Sequence, residues 1–332
     1  MRFSPKPQHV LRTPAHLERV LGQCLKERRP WLSTTQAWRW VDGEVEGLVV
    51  EVFGQVAVAH FFSAWTQTQK EALWAAMRAQ LSLEAIWEKR HPKEARVLAN
   101  TQLSEWAPSA PAWGRCPDAF VVQEEGRSFE IRPGNGLSVG LYVDARKARR
   151  FVHKHAAHKR VLNLFAYTCA LGVAARAGGA SEVVNVDASK RCLEWGGQNL
   201  RHNGFEPKPG ELWAAEVFFA LRSLARQGRC FELVVLDPPS FSNVGKRRLR
   251  VVDDYAQLVS MCTQVLAPEG LLLAMCNTKS VGPKLFSNWV REGLGGQGHC
   301  EERLGADVDC RQPSGLKAEV WCKSLRPQAK LC

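Results

Sequence analysis

The feature that most constrains the fold is a set of four short, largely apolar segments in the second half of the chain. They are RVLNLF at 160–165, EVVNVD at 182–187, FELVVLD at 231–237 and LLLAMC at 271–276. Runs that are apolar on both faces and separated by helical stretches are typical of a parallel sheet covered on both sides. The sequence therefore predicts an α/β fold with a mostly parallel, doubly wound sheet from about residue 136 onward.

A polar or reactive residue stands at the end of each predicted strand. Such sheets bind ligands outside the carboxyl ends of their strands, where the winding reverses. Asn163 and Phe165 precede a helix whose free N–H groups favour a carboxylate or phosphate, so both are candidate cofactor residues. Asp187 can accept hydrogen bonds from ribose hydroxyls, although an acid there is also an ordinary helix N-cap. The pattern predicts a nucleoside cofactor.

The turn after the first of these strands discriminates between cofactors. A dinucleotide site needs G-x-G-x-x-G so that the backbone can approach the pyrophosphate, whereas AYTCALG offers only Gly172. S-adenosylmethionine (SAM) carries no phosphate and makes no such demand. Glu216 precedes an apolar helix, where it can meet an adenine amino group or serve as an ordinary acid at a helix N-terminus. The sequence favours SAM over NAD.

Three regions are expected in a chain of 332 residues, which exceeds what one core usually serves. Residues 1–35 read as a helical extension that stops near Pro30. Residues 36–135 combine short β-rich runs, one amphipathic helix and a hairpin around Glu125-Gly126, which indicates a small α+β module of the kind that binds RNA. PSAPAWGRCPDA inside it is predicted to be an exposed loop, and residues 136–332 carry the α/β domain.

Charge and cysteine usage restrict the partners and the compartment. The net charge is +12 and the pI about 9.3, an imbalance that suits a polyanion such as RNA. No apolar run reaches membrane-spanning length and the first residues lack the apolar core of a signal peptide, so a cytoplasmic protein is expected. The 11 cysteines contain no C-x-x-C pair, which argues against a zinc site or a disulfide framework. His153, His155 and His158 lie in a basic segment and predict a solvated helix instead of a metal site.

Two further sequence features bear on RNA. GKRRLR supplies Lys246, Arg247, Arg248 and Arg250 directly after the third strand's exit and predicts a phosphate-binding segment, the alternative being a solvated loop. The Trp38/Trp40 pair either stacks on unpaired bases or, as for most of the 12 tryptophans, packs in a core.

Several motifs together resemble one enzyme family. They are GLSVGLYVDARKARRFV, RVLNLFAYTCALGVAA, VVNVDASKRCLEWGGQNLRHNGF, LVVLDPPSFSN and LLLAMCNTKS, in this order and spacing. The chain thus resembles the SAM-dependent methyltransferases of large-subunit (23S) ribosomal RNA over about residues 36–325. The resemblance implies a Rossmann-like class I methyltransferase domain preceded by a small α+β module, with SAM as cofactor and ribosomal RNA as partner.

The resemblance also implies roles for individual residues. Tyr142, Asp144 and Arg146 are expected to help hold the cofactor, with Asp187 at its ribose and Glu216 near its adenine. Five residues are expected at the reacting centre: Asp237, Pro238, Pro239, Phe241 and Asn277. Asp237 is also expected to contact the cofactor. Two adjacent prolines end strand pairing and give a rigid exit, which suits a lip that holds a flipped-out base against the stacking ring of Phe241.

The methylated base depends on the end of the fourth strand. The cytosine-C5 branch of the family places a nucleophilic cysteine where this chain has Asn277, whereas Cys276 falls one residue earlier. Because adjacent strand residues face opposite sides, the Cys276 thiol is expected to face the core unless a bulge turns it toward the base. SFSNVGKRR followed by CNTK resembles the guanine-N7 branch, which is favoured here; Cys276-dependent cytosine methylation is the alternative.

Cys169 departs from the family, which has glycine there. It either crowds the cofactor in a conformation that suits glycine or, the favoured interpretation, sits in ordinary backbone. A non-catalytic RNA-binding protein with a degenerate pocket is therefore a further alternative.

Overall fold

The structure is a computed structural model that describes residues 12–91, 103–244, 247–296, 298–310 and 315–323; for 31, 103–104, 241–244 and 247–249 it describes the backbone alone. The chain divides into two compact units. Unit 1 is Met1–Val143 with Val308–Gln312, and unit 2 is Asp144–Asp307 with Pro313–Cys332. The division thus falls after residue 143 instead of 135, and a short late segment returns to unit 1.

Unit 1 is an α+β structure around one five-stranded sheet. Its elements are α1 (Pro14–Arg28), β1 (Ala37–Asp42), β2 (Leu48–Phe53), β3 (Val56–Phe61), α2 (Gln67–Gln80), β4 (Ala85–Arg90), α3 (Leu103–Trp106), β5 (Trp113–Gly114), β6 (Phe120–Glu124) and β7 (Arg127–Ile131). The sheet order is β1-β2-β3-β4-β5, and β3 and β4 pair in parallel because α2 crosses between them. The hairpin around Glu125-Gly126 is confirmed as β6–β7, whereas the predicted exposed loop contains β5, which pairs with β4.

The core of unit 1 joins α1 and α2 to the sheet. Leu17 and Leu21 of α1 share a buried cluster with Leu73 and Met77 of α2, so the predicted helical extension packs within this unit. Trp40 is completely buried in the same cluster. Its neighbour Trp38 is 5% exposed, so the base-stacking interpretation of this pair is wrong and the core interpretation is confirmed.

Unit 2 alternates strands and helices. Its elements are α4 (Arg146–His155), β8 (Arg160–Leu164), α5 (Ala170–Ala177), β9 (Glu182–Asp187), α6 (Lys190–His202), β10 (Leu212–Ala214), α7 (Val217–Arg226), β11 (Phe231–Leu236), β12 (Phe241–Val244), β13 (Arg247–Arg250), α8 (Val251–Thr263), β14 (Leu266–Cys276), α9 (Pro283–Gly293), β15 (Gly298–Arg303) and β16 (Lys317–Lys323). All four predicted strands are present, and β9 has the predicted bounds.

A seven-stranded sheet organises unit 2, in the order β10-β9-β8-β11-β14-β16-β15. The first five strands are parallel, and β16 pairs antiparallel with both β14 and β15. The doubly wound, mostly parallel prediction is confirmed. The winding reverses between β8 and β11, so a crevice is expected at their carboxyl ends.

Alternating side chains of the central strands explain why both faces are covered. Leu162, Val234 and Leu236 lie in the buried cluster on one face, and Val161 and Val235 lie in the cluster on the other. Each fully buried aliphatic side chain of this kind stabilises the fold by about 1.5–3 kcal/mol.

The basic segment that begins unit 2 forms α4. Its His153 is exposed, while His155 stacks on Phe151 with ring centroids 4.1 Å apart. Among the described residues no three His, Cys, Asp or Glu side chains form a group able to hold a metal ion. None of the described helices combines the length and apolar character needed to cross a bilayer.

Candidate active site

Strand register brings three of the predicted site residues to one edge of the sheet. Leu164 of β8 lies opposite Val186 of β9 on one side and Leu236 of β11 on the other. Leu236 in turn lies opposite Ala274 of β14. Since neighbouring strands are about 4.8 Å apart, the residues that follow these positions lie close together at the carboxyl edge. Phe165, Asp187 and Asp237 follow three of them.

Asp187 is held by two backbone N–H groups. Its Oδ2 accepts from the Tyr167 N–H at 2.9 Å and its Oδ1 accepts from the Ser189 N–H at 2.8 Å. Burial raises the pKa of Asp187, and these two hydrogen bonds oppose that rise. Because each carboxylate oxygen has a further lone pair, the fixed carboxylate can accept two more hydrogen bonds from a ligand. The N-cap of α6 is instead Ser189, whose hydroxyl accepts from the Cys192 N–H.

Asn163 and Phe165 occupy different environments. The Asn163 amide is 1% exposed and donates to Asn185 Oδ1 at 2.9 Å, so it lies beneath the edge of the sheet. Gly172 of α5 lies against the Asn185 amide, since a Cβ there would stand 2.1 Å from Asn185 Oδ1. Phe165, half-buried, packs against the core at the start of the loop. The cofactor roles of Asn163 and Phe165 stay predictions.

The loop between β8 and α5 is conformationally strained. Phe165, Tyr167 and Cys169 have φ values of 57°, 49° and 59°, in the left-handed region that favours glycine. The expectation of ordinary backbone at Cys169 is therefore wrong. Its side chain is fully buried and fills the space above Gly196, where a Cβ would lie 2.3 Å from Cys169 Sγ. Burial, and then the charge of Asp187, raise the pKa of this thiol, so it stays uncharged.

Glu216 caps a helix at the outer end of the sheet. It is the N-cap of α7, and its carboxylate accepts from the N–H groups of Phe218 and Phe219, both at 3.1 Å. Trp213 and Phe219, which precede and follow Glu216 in the sequence, make an edge-to-face pair with ring centroids 6.4 Å apart. The capping interpretation is confirmed, and the adenine role stays a prediction.

The exit of β11 carries the most perturbed carboxyl of this edge. β11 ends at Leu236, directly before Asp237, as the two prolines predict. Burial, with repulsion from Asp144, raises the pKa of Asp237 to about 7. Pro238 is buried and Pro239 is exposed, so the lip has one face in the protein and one in solvent.

A chain of hydrogen bonds connects the exits of β11 and β14. Thr278 Oγ1 donates to Ser240 Oγ at 2.8 Å, and Ser240 Oγ donates to Asn277 Oδ1 at 3.1 Å. Asn277 is exposed, whereas Cys276 is completely buried in the core, as expected from strand alternation. The strand end therefore presents an amide and hydroxyls instead of a thiol.

The predicted residues around the start of α4 fall on both sides of the unit division. Tyr142 belongs to unit 1, is 47% exposed and shares a hydrogen bond with Ser138 Oγ at 2.7 Å. Asp144 belongs to unit 2, close enough to Asp237 to affect its pKa. Arg146 is buried, and its Nη1 lies 3.2 Å from Asp307 Oδ2. Direct cofactor contacts by these three residues stay predictions.

The predicted RNA segment forms a hairpin. β12 and β13 pair antiparallel, and Arg247 and Arg248 lie in β13, where only the backbone is described. Arg250 is exposed and pairs with Asp253 at 3.0 Å. Lys246 and the side chain of Phe241 lie outside the described residues.

Four contributors were not identified from the sequence. Ser240 and Thr278 flank predicted residues, so their position next to D-P-P and Asn277 was an available signal. Asn185 and Asp307 gave none, because their partners Asn163 and Arg146 are distant in sequence.

Comparisons with known proteins agree with this architecture. The profile of the family described as S-adenosylmethionine-dependent methyltransferase matches residues 36–320. Ribosomal RNA large subunit methyltransferase K of Neisseria meningitidis is 31% identical over 267 residues, covering 78% of this chain and 75% of that protein. Ribosomal RNA large subunit methyltransferase I of Aeromonas salmonicida is 31% identical over 247 residues, covering 74% of this chain and 61% of that protein. A protein crystallised in complex with SAH is similar in fold, with a TM-score of 0.86, 23% identity and coverage of 96% of this chain and 83% of that one.

Proposed function

Since the chain belongs to the S-adenosylmethionine-dependent methyltransferases, we propose that it transfers the methyl group of SAM to N7 of a guanine in large-subunit ribosomal RNA. The chain is thus an enzyme, and SAM is its cofactor. SAM supplies an electrophilic methyl group on a sulfonium. The single observation that carries the choice of base is the end of β14, where an exposed amide stands in place of a reactive thiol.

The residues present fit the cofactor. Asp187 has carboxylate lone pairs left over after its two backbone hydrogen bonds, and those would hold the ribose hydroxyls. Glu216 and the Trp213/Phe219 pair offer an acceptor and aromatic surface suited to adenine. The carboxyls of Asp144 and Asp237 place negative charge at the switch of winding, where a cationic sulfonium is electrostatically favoured.

A guanine N7 acceptor matches what the lip and strand end provide. N7 has an exposed lone pair, so the reaction requires in-line placement of the base and neither covalent activation nor a general base. Asn277 uses its Oδ1 to accept from Ser240, so its amide N–H groups would serve as donors to an acceptor on the base. Guanine O6, which neighbours N7, is such an acceptor. The rigid Pro238-Pro239 exit would hold the base beside the methyl group, with Phe241 stacking on it.

Ribosomal RNA as the substrate is supported by two kinds of observation. Two of the relatives are named as methyltransferases of large-subunit ribosomal RNA, and this chain spans 75% and 61% of their lengths. The net charge of +12 favours a polyanion. The basic hairpin β12–β13, with Arg250 and the adjoining Lys246, Arg247 and Arg248, would bind phosphates next to the reacting base.

The test is to incubate the protein with labelled SAM and unmodified ribosomal RNA and to identify the product nucleoside by mass spectrometry. We expect 7-methylguanosine, retained by Cys276→Ala and strongly reduced by Asn277→Ala. Recovery of 5-methylcytidine that disappears in Cys276→Ala would establish the cytosine alternative. Failure to bind SAM saturably would support the non-catalytic alternative.

A further inference from the structure

A second pocket lies entirely within unit 1. It is a cavity of about 460 Å³, within the range of sites for small ligands. The residues that line it are aromatic, basic or small: Phe61, Phe62, Ser63, Ala64, Trp65, Lys70, Arg90, His91 and Trp106. No residue of the candidate active site belongs to this set. Its combination of aromatic rings and cations is characteristic of sites for single-stranded nucleic acid.

One wall of the pocket is a preformed aromatic platform. Phe62 is 38% exposed and stacks on His91, with ring centroids 4.4 Å apart and an interplanar angle of 13°. The His91 ring is fixed in turn by a hydrogen bond of 3.0 Å between its Nε2 and His60 Nδ1. Because the rings are already ordered, little conformational entropy is lost when a further ring stacks on Phe62.

Two indole groups supply hydrogen-bond donors. The Nε1 atoms of Trp65 and Trp106 are buried, and neither has an acceptor among the described residues. A buried donor without a partner is costly, by about 1–3 kcal/mol, so an acceptor brought by a ligand would recover that free energy. Base carbonyls, ring nitrogens and phosphate oxygens are all acceptors of this kind.

The charges of the pocket favour an anionic ligand. Lys70 and Arg90 both bind the one carboxylate of Glu88, which leaves one positive charge in excess. Arg12 lies beside the pocket, with its guanidinium 4.3 Å from the centre of the Trp65 ring, and Glu46 partly offsets its charge. The side chain of Arg90 is 49% exposed, so it can reach a phosphate at the mouth of the cavity.

We propose that this pocket binds an unpaired nucleotide of the RNA substrate, with its base stacked on Phe62 and its phosphate near Arg90. The proposal rests on the RNA substrate of the proposed function, but it concerns a different site in a different unit. A base held here would select RNA by a splayed-out nucleotide other than the methylated one, and so would contribute to the choice of target.

The test measures binding of a fluorescent single-stranded RNA of about 10 nucleotides to the full-length protein, together with the same oligonucleotide lacking bases. Phe62→Ala removes the platform, and Trp106→Phe removes one donor while keeping a ring. Val121→Ala, at an exposed position of β6 in the same unit, is the matched control for Phe62→Ala. Arg90→Gln is matched by Lys26→Gln, at an exposed position of α1.

For the normal oligonucleotide we expect Phe62→Ala to weaken binding roughly tenfold, since base–aromatic stacking is of that order, and Trp106→Phe to weaken it less. Phe62→Ala should bind the base-free oligonucleotide as the unaltered protein does, because only the stacking of a base is lost. Arg90→Gln should reduce the slope of log affinity against log salt concentration by about one. The controls and the SAM affinity of every variant should not change.

Equal binding of the normal oligonucleotide by Phe62→Ala, Trp106→Phe and the unaltered protein would overturn the proposal. Equal losses with and without bases would also overturn it, because the pocket would then sense only the backbone. If ribosomal RNA is still methylated under either result, the proposed function stands and only the second site is lost. If the unaltered protein binds neither the oligonucleotide nor ribosomal RNA, and methylates no ribosomal RNA, both are wrong.

Discussion

The raised pKa of Asp237 predicts a specific pH dependence of stability. In the folded protein the pKa of this carboxyl is about 7, against about 3.9 for an unperturbed aspartate. Below about pH 4 the group is protonated in both states. Between about pH 4 and pH 7 the folded state retains the proton while the unfolded state releases it. The contribution to stability is therefore fully present in acid and is lost as the pH rises through about 7.

The size of the effect follows from the shift. Three pKa units correspond to about 4 kcal/mol, and because the side chain is partly exposed we expect about half of that, ~2 kcal/mol. Asp237→Asn removes the titration. At about pH 8.5 the variant should be more stable than the unaltered protein by ~2 kcal/mol, and at about pH 4 the two should be nearly equal.

Hydrogen exchange of the backbone amides of β8 and β11 measures the opening free energy of unit 2 by itself. Glu194→Gln, at an exposed position of α6, is the control and should change neither value. If Asp237→Asn changes the opening free energy by the same amount at both pH values, folding does not raise the pKa of Asp237 and the reasoning fails.

Three further predictions concern the same edge. SAM affinity, measured by equilibrium dialysis, should rise up to about tenfold between pH 6 and pH 8 as Asp237 ionises. SAH affinity, measured in the same way, should stay constant because the sulfur of SAH is neutral. If the affinities for SAM and SAH change equally with pH, Asp237 does not act on the sulfonium. Gly196→Ala should destabilise the protein by about 1–3 kcal/mol in urea unfolding, because its Cβ would meet Cys169 Sγ at 2.3 Å. Most of this cost should vanish when Cys169 is also replaced by glycine. If the costs of the two substitutions simply add, the contact is contradicted. In thermal unfolding without ligand, Glu216→Ala should lower stability by about 1 kcal/mol, because α7 loses its N-cap. Glu216→Asp should retain most of that stability. Equal stability of the two variants would contradict the capping role.

Much of unit 2 could be predicted because its signals are local. β9 is a buried run bounded by polar residues, and its predicted bounds match the structure. The double proline after Asp237 ends β11 because proline lacks the N–H that pairing needs. Alternation along β14 correctly buried Cys276 and exposed Asn277. These are cases in which residue type and period decide the outcome without knowledge of distant neighbours.

The remainder depends on contacts between residues far apart in the chain. The pairing of Arg146 with Asp307 and of Asn163 with Asn185 has no local signature. β15 and β16 were not predicted, and β16 is placed by its antiparallel pairing with β14. The left-handed backbone of Cys169 was missed because residue type favours the ordinary region, whereas the exit from β8 and the start of α5 impose the other conformation.

The costs to stability in unit 2 are concentrated where the proposed chemistry occurs. Of the six non-glycine residues with positive φ in the described chain, three lie in the loop from Phe165 to Cys169, and each costs about 1–2 kcal/mol. Asp237 adds the cost of a desolvated carboxyl beside Asp144. A fold selected for stability alone would place glycine in the loop and an apolar residue at the strand exit. The clusters on both faces of the sheet offset these costs, so the strained edge persists because the core holds it. In the proposed site, the carboxyls of Asp144 and Asp237 would favour a cationic cofactor electrostatically, so the cost of the desolvated carboxyl would be offset when the cofactor binds.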